Sequence, residues 1–301
     1  MNRYLTNLLK YRPLNKWALY LHFQNSFSLI FYFCVSHICT IWSGAEGVVL
    51  YNEYLTNYWP ISNGQMNDQV GNADMIQGAS TTFVADRFGN PNSALGLNGG
   101  YTQVPAGFYF NSLKFTITAW IYPQSLDAYA TLLDFGNGPS TNSIIITLSN
   151  GGFTNSPVLT ICPNNPYFVS CQICTSYLPL QLGVWSFLAA TYDGKYMRIY
   201  TNGYLQYSFY ILNLVFNSII RKYNYFGMRN VANSPGHSYS YIDDLKFYNT
   251  SLTFSELYNV MTYVEPATEV STDMTTDITT DITTDMTTDM TTSSTSTRNT
   301  H

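Results

Sequence analysis

The sequence predicts an all-β fold of two antiparallel sheets, and two observations carry that prediction. Asp193-Gly194 and Asn202-Gly203 separate three runs of strand-forming residues over 184–209. Asp-Gly and Asn-Gly supply the positive φ angles of type I′ turns, so the segment reads as a three-stranded antiparallel meander. About twelve short strand-like runs bounded by turn signals recur along the chain, which indicates a sandwich of two sheets.

In order, the runs are 47–51, 94–98, 101–104, 114–122, 131–135, 143–148, 158–162, 184–192, 195–201, 204–211, 223–228 and 241–248. In 114–122, Phe115, Ile117, Ala119 and Ile121 form one apolar face, while Thr116, Thr118, Trp120 and Tyr122 point the other way. Trp120 therefore faces away from the core between the sheets, or lies under a loop. Both faces of 184–192 are largely apolar, as expected of a central strand covered on both sides. Thr253-Phe254-Ser255-Glu256 is a capping box that starts one short helix. Phe254, Leu257, Tyr258 and Met261 then recur at helical spacing and are expected to pack on the sandwich.

Composition divides the chain into three zones. Residues 46–264 suffice to bury roughly 70–75% of their unfolded surface in one domain. They carry eight Lys/Arg against eleven Asp/Glu, with the cations scattered, which excludes a nucleic-acid partner because phosphate binding needs clustered cations. Residues 1–45 carry Arg3, Lys10, Arg12 and Lys16 and then an uncharged run from Trp17 to Ala45. This reads as a signal peptide cleaved after Ser43-Gly44-Ala45, or as an uncleaved signal anchor. Both place the domain outside the cytosol, secreted or extracellular, with membrane attachment only if the apolar segment is retained. Asn249-Thr250-Ser251 is an N-glycosylation sequon in the turn before the helix.

Residues 265–301 repeat a four-residue unit at Asp273, Asp277, Asp281, Asp285 and Asp289. On a helix these aspartates would repel at i,i+4, and threonine disfavours helix, so the tail is expected to be disordered. It is either an O-glycosylated stalk or an unmodified repeat. Without the N-terminal zone the cysteines are Cys162, Cys171 and Cys174, of which one stays unpaired or pairs between chains. Cys162 and Cys171 flank a Pro163-Asn164-Asn165-Pro166 turn and are the expected disulfide. Cys171-Gln172-Ile173-Cys174 also looks like a zinc or redox half-site, but the second pair of zinc ligands is missing.

Several segments resemble one family. Asp86-Arg87-Phe88-Gly89-Asn90, the stretch from Ala94 to Tyr101, and Phe115-Thr-Ile-Thr-Ala-Trp-Ile-Tyr-Pro123 resemble early strands of laminin G-like, concanavalin A-like jelly rolls of the pentraxin-related branch. Trp185-Ser-Phe-Leu188, Thr191-Tyr-Asp-Gly194, Tyr200-Thr-Asn-Gly203 and the stretch from Ile242 to Asn249 match its later strands in the same order. The resemblance spans about residues 50–262 and implies a two-sheet jelly-roll sandwich whose concave face binds glycans or proteins. It also implies a structural calcium ion. Asp243 falls on the family's Ile-Asp position and shares a face with Leu245 and Phe247, pointing inward, while Asp68 and Asn72 fall where further ligands lie.

Hydrolases of this fold carry a spaced Glu-x-Asp-x-x-Glu pattern, which does not occur here, and Asp243 and Asp244 are expected to point to opposite faces of one strand. His237 has no Gly-x-Ser-x-Gly elbow to serve. The reading is therefore a non-catalytic extracellular binding module for a carbohydrate or extracellular protein, with Trp120, Tyr122, Tyr204 and Tyr210 as candidate sugar-stacking residues. The alternative is a structural or adhesive protein with a mucin-like stalk.

Overall fold

The computed structural model describes residues 52–263 except 153, 164–169, 212–213, 215–217 and 232–235, together with the strand backbone at 21–22, 30–35 and 38–43. Three strands, β1 (Leu21–His22), β2 (Ile30–Val35) and β3 (Ile38–Ser43), form a small antiparallel sheet of their own. Most of the N-terminal zone, the run 47–51 and the tail lie outside the described residues. Among the described residues no helix is long and apolar enough to cross a membrane.

The sandwich is built from β4 (Leu55–Trp59), β5 (Ile76–Gln77), β6 (Thr81–Val84), β7 (Ala94–Gly100), β8 (Thr102–Val104), β9 (Phe115–Pro123), β10 (Thr131–Gly136) and β11 (Ser143–Thr147). It continues with β12 (Val158–Cys162), β13 (Gln172–Thr175), β14 (Ser186–Tyr192), β15 (Tyr196–Thr201), β16 (Tyr204–Tyr210), β17 (Tyr223–Phe226) and β18 (Ser238–Tyr248), and helix α1 (Phe254–Thr262) follows. A 7-stranded sheet runs β13-β12-β11-β10-β17-β8-β5, and an 8-stranded sheet runs β16-β15-β14-β9-β18-β7-β6 with β4 also paired to β18. All pairings are antiparallel, the arrangement expected of a jelly roll.

Alternation on β9 places Phe115, Ile117, Ala119 and Ile121 in the core between the sheets. There they meet Leu133 and Phe135 of the opposing sheet and an edge-to-face aromatic cluster in which Trp59 lies 5.4 Å from Phe226 and 5.0 Å from Phe247. β14 is buried on both faces, as its sequence requires. Its second face, with Phe187 and Ala189, joins Trp120, Tyr200 and Tyr248 in a smaller cluster capped by α1. Trp120 thus does face away from the main core.

Helix α1 starts at the expected capping box, with both reciprocal bonds between Thr253 and Glu256 formed. Leu257 and Met261 pack against the smaller cluster as expected, but Phe254 and Tyr258 are exposed and Val260 is buried in their place. Burying Leu257 and Val260 stabilises the docked helix by about 1.5–3 kcal/mol each.

The meander forms as β14-β15-β16. At Asn202-Gly203 both φ angles are positive, as a type I′ turn requires. The first turn is a correction, because only Gly194 has positive φ and the connection runs through Lys195. Asp193 closes it by accepting the backbone N–H groups of Lys195 and Tyr196 on Oδ1, so an Asx turn replaces type I′ geometry. The Cys162–Cys171 disulfide is formed and staples β12 to the start of its antiparallel partner β13, and Cys174 is free and buried.

Candidate functional site

Among the described residues, three places hold chemistry-bearing side chains. The first lies on the outer face of the 8-stranded sheet. Asp86 organises the loop 86–90 by accepting the N–H groups of Phe88 and Asn90 on Oδ1 and the Asn90 side-chain amide on Oδ2. That turn projects Arg87 over Trp120, with the guanidinium 4.8 Å from the ring centroid. Arg87 then donates to Asp243 from Nη1 and to Asp244 from Nη2, each at 2.7 Å.

This geometry corrects two expectations. The pairing of β18 with β9 shifts register between Asp243 and Lys246, and Asp244 adopts φ +50. The extra residue of this β-bulge lets Ile242 and Leu245 both face the core, so Asp243 points outward, beside its register partner Trp120. The two carboxylates consequently converge on one guanidinium and do not point to opposite faces.

Tyr58 donates its hydroxyl to Asp244 at 2.8 Å, and Lys246 lies 3.6 Å from the same oxygen. Burial and the charge of Asp244 push the Asp243 carboxyl up, against the pull of Arg87. Burial also acts on Asp244, but Lys246, Arg87 and Tyr58 together hold that carboxyl below the usual carboxylate range. Two cations thus face two carboxyl groups in a largely buried network.

The donor sets do not fit the implied calcium ion. Asp68 accepts the N–H groups of Tyr58, Val70 and Gly71 on Oδ1, and those of Asn57 and Ala73 on Oδ2. Five donors fill a carboxylate that offers about four lone-pair sites. Asn72 is exposed in the same turn, and Asp243 is already neutralised by Arg87. Among the described residues no three acidic, His or Cys side chains form a group able to hold a metal.

The candidate stacking residues divide into two pairs. The ring of Trp120 is engaged by Arg87 and, at 5.6 Å, by Phe187, and Tyr122 is stacked on Tyr241 at 5.2 Å. Both are half-buried and held by these ring contacts. Tyr204 and Tyr210, at the two ends of edge strand β16, are 71% and 51% exposed.

The second place lies where β13 and β16, edge strands of the two sheets, run beside each other. Their meeting leaves an open cleft of about 400 Å³ lined by Thr154, Ile173, Thr175, Ser176, Tyr177, Tyr207 and Phe209. Tyr177 and Tyr207 meet edge to face at 5.0 Å and give the cleft an aromatic wall, while the Ser176 hydroxyl donates to the Leu178 carbonyl. Sequence reading missed this cleft because its residues come from three separate segments.

A family model described as the concanavalin A-like lectin/glucanases superfamily matches residues 96–257, more than half of the chain. The chain belongs to this superfamily. No curated protein matches it in sequence. Domain 4 of AbnA, an extracellular arabinanase from Geobacillus stearothermophilus solved with arabinotriose, is similar at TM-score 0.57 and 20% identity, covering 69% of this chain and 98% of that one. The binding domain of botulinum neurotoxin serotype D/C is similar at TM-score 0.54 and 18% identity over 70% of this chain. The binding domain of Paraclostridial Mosquitocidal Protein 1 is similar at TM-score 0.53 and 17% identity over 69% of this chain. The match spans 52% of each of these two binding domains, and at such identities the likeness concerns the fold.

A superfamily that holds both lectins and glucanases makes the placement of carboxylates informative, because glycoside hydrolysis uses two of them about 5–9.5 Å apart. In the third place, on the outer face of the 7-stranded sheet, Asp134 is the one carboxylate that the described strands of that sheet carry. Its register neighbours are Ile145 and Tyr225, and beyond them Thr160 and Gln103. Asp134 Oδ2 accepts the N–H of Asn230 at 2.9 Å. Burial pushes its carboxyl up to about 6, opposed by that hydrogen bond and by Arg229. Sequence reading missed Asp134 too, although one acid in the apolar strand Thr131-Leu-Leu-Asp-Phe-Gly136 was a visible signal.

Proposed function

We propose that this chain is a non-catalytic carbohydrate-recognition module of the extracellular space. The observation that carries the reading is the cleft between β13 and β16, where the aromatic pair Tyr177 and Tyr207 shares the lining with the hydroxyl-bearing Thr154 and Thr175. Sugars offer an apolar ring face and a hydroxyl rim, and such a lining complements both. Membership of a lectin-containing superfamily and the arabinotriose bound to a similar domain support a glycan ligand.

A non-catalytic role is supported by the isolation of Asp134 and by the Arg87 pairing of Asp243 and Asp244. The disulfide and the basic then apolar N-terminus support an oxidising, extracellular setting. Binding in this reading does not depend on calcium, because Asp68 and Asp243 are satisfied by protein groups. The full chain applied to a glycan array, with and without chelator, tests the proposal. Binding of defined glycans that survives chelation and is lost in Tyr177→Ala supports it, and a blank array overturns it.

A further inference from the structure

The cleft between β13 and β16 belongs to an uncharged part of the chain. Between Asp134 and Asp193, and again between Arg198 and Arg221, the sequence holds no Asp, Glu, Lys, Arg or His. Every residue that lines the cleft falls within those two stretches, and so do strands β11, β12, β13 and β16 in full. Charged residues make up about 25% of an ordinary soluble chain, so charge-free stretches of this length that meet at one cleft are a feature with a consequence for its ligand.

Strand β15 carries one charged residue, Arg198, beside the cleft-lining strand β16. Met197 and Ile199 point into the core, and their register partners Phe209 and Tyr207 line the cleft. Arg198 alternates to the opposite face of the sheet, where Asp193 holds its guanidinium at 2.6 Å. The one cation of that strand is thus turned away from the cleft and paired.

Hydroxyl groups and an aromatic wall remain. Thr154 accepts the Asn150 side-chain amide at 2.9 Å and keeps its own hydroxyl proton to donate. Thr175 brings a second hydroxyl, and Tyr177, 68% exposed, offers its ring. Such groups match the hydroxyls and C–H faces of an uncharged sugar. A carboxylate entering the same place gives up part of its hydration and meets no cation, a cost that an uncharged ligand does not bear. We propose that the cleft selects uncharged saccharides and discriminates against the uronate and sialylated forms of the same sugars. This rests on the reading of the cleft as a glycan site and adds the charge of its ligand.

The test is calorimetric titration of the full chain, at low ionic strength, with matched neutral and acidic pairs: lactose and sialyllactose, galactotriose and galacturonotriose, glucose and glucuronate. Wild type is compared with Tyr177→Ala and with Thr154→Arg, which puts a cation at an exposed position of the lining. At least one neutral saccharide is expected to bind wild type, with its acidic counterpart weaker by about tenfold or more. Thr154→Arg should narrow or reverse that ratio, and Tyr177→Ala should weaken the neutral ligand. A thermal melt confirms that each variant is folded, and Thr175→Lys takes the place of Thr154→Arg if the latter is not. Acidic members that bind as tightly as the neutral ones, with loss in Tyr177→Ala, overturn the charge selectivity and leave the glycan reading of the cleft standing. An unchanged ratio in the folded cationic variant overturns the selectivity in the same way. Neutral-selective binding that folded Tyr177→Ala leaves intact, or no binding of any of the six probes, overturns both.

Discussion

Arg87 reaches across 156 positions of sequence to donate to Asp243 at 2.7 Å, and it binds the adjacent Asp244 with its other terminal nitrogen. One guanidinium thereby ties the loop 86–90 to a bulge in β18. Removing one partner of a buried ion pair leaves an uncompensated charge, so Arg87→Ala should lower unfolding free energy by about 3–5 kcal/mol. Urea denaturation measures this, and a loss below about 1 kcal/mol would show the pair to be energetically idle.

The same network predicts the response to calcium. A ligand that binds only the folded state raises the melting temperature. Because Asp68 and Asp243 are satisfied internally, millimolar calcium should leave the melting temperature unchanged. A calcium-dependent rise that Asp243→Asn abolishes would restore the metal site.

Asp134 links stability to pH with a definite sign. Its carboxyl titrates at about 6 in the fold, above the ordinary 3.8, so the folded state holds the proton more tightly than the unfolded chain. The associated stability is complete below pH 3.8 and is lost as pH rises through about 6. Asparagine does not ionise, so Asp134→Asn should be more stable than wild type at pH 7.5, by up to about 3 kcal/mol, and should show little of this advantage at pH 3.5. Parallel melts at the two pH values check it, and equal effects at both would refute the linkage.

The cysteines divide by environment. Replacing Cys162 or Cys171 should cost about 2–4 kcal/mol through loss of the cross-link. Burial pushes the Cys174 thiol up to about 12, so little thiolate exists at neutral pH. Iodoacetamide should therefore label Cys174 only after unfolding, which peptide mapping resolves.

Much of the sandwich was legible because its strands obey simple periods. Phe115, Ile117, Ala119 and Ile121 alternate without interruption, and the Thr253–Glu256 cap marks the helix start by its own chemistry. Strand β4 escaped notice because buried Asn57, which hydrogen-bonds Asp68 at 2.6 Å, breaks its apolar alternation. The helix face was only half legible, because spacing placed Leu257 and Met261 on it but did not tell Val260 from Phe254 and Tyr258.

The site was harder to read than the fold. A strict two-residue period predicts an inward Asp243, and the bulge that reverses it leaves no mark in the repeated Asp-Asp pair. Tyr122 and Trp120 alternate outward as expected, yet Tyr241 and Arg87 cover them from distant segments. The cleft around Tyr177 exists only because two sheet edges meet, a relationship that no local pattern encodes.

Glycan recognition at the β13–β16 cleft is most directly tested by titrating arabinotriose and the glycans bound on the array into the full chain, wild type against Tyr177→Ala and Tyr207→Ala. The account predicts saturable binding to wild type in the presence of chelator, and an affinity about tenfold or more lower in each variant, since a well-packed stacking aromatic contributes on the order of 1.4 kcal/mol or more. Unchanged affinity in both folded variants, or no saturable binding of any of these glycans by wild type, would contradict it.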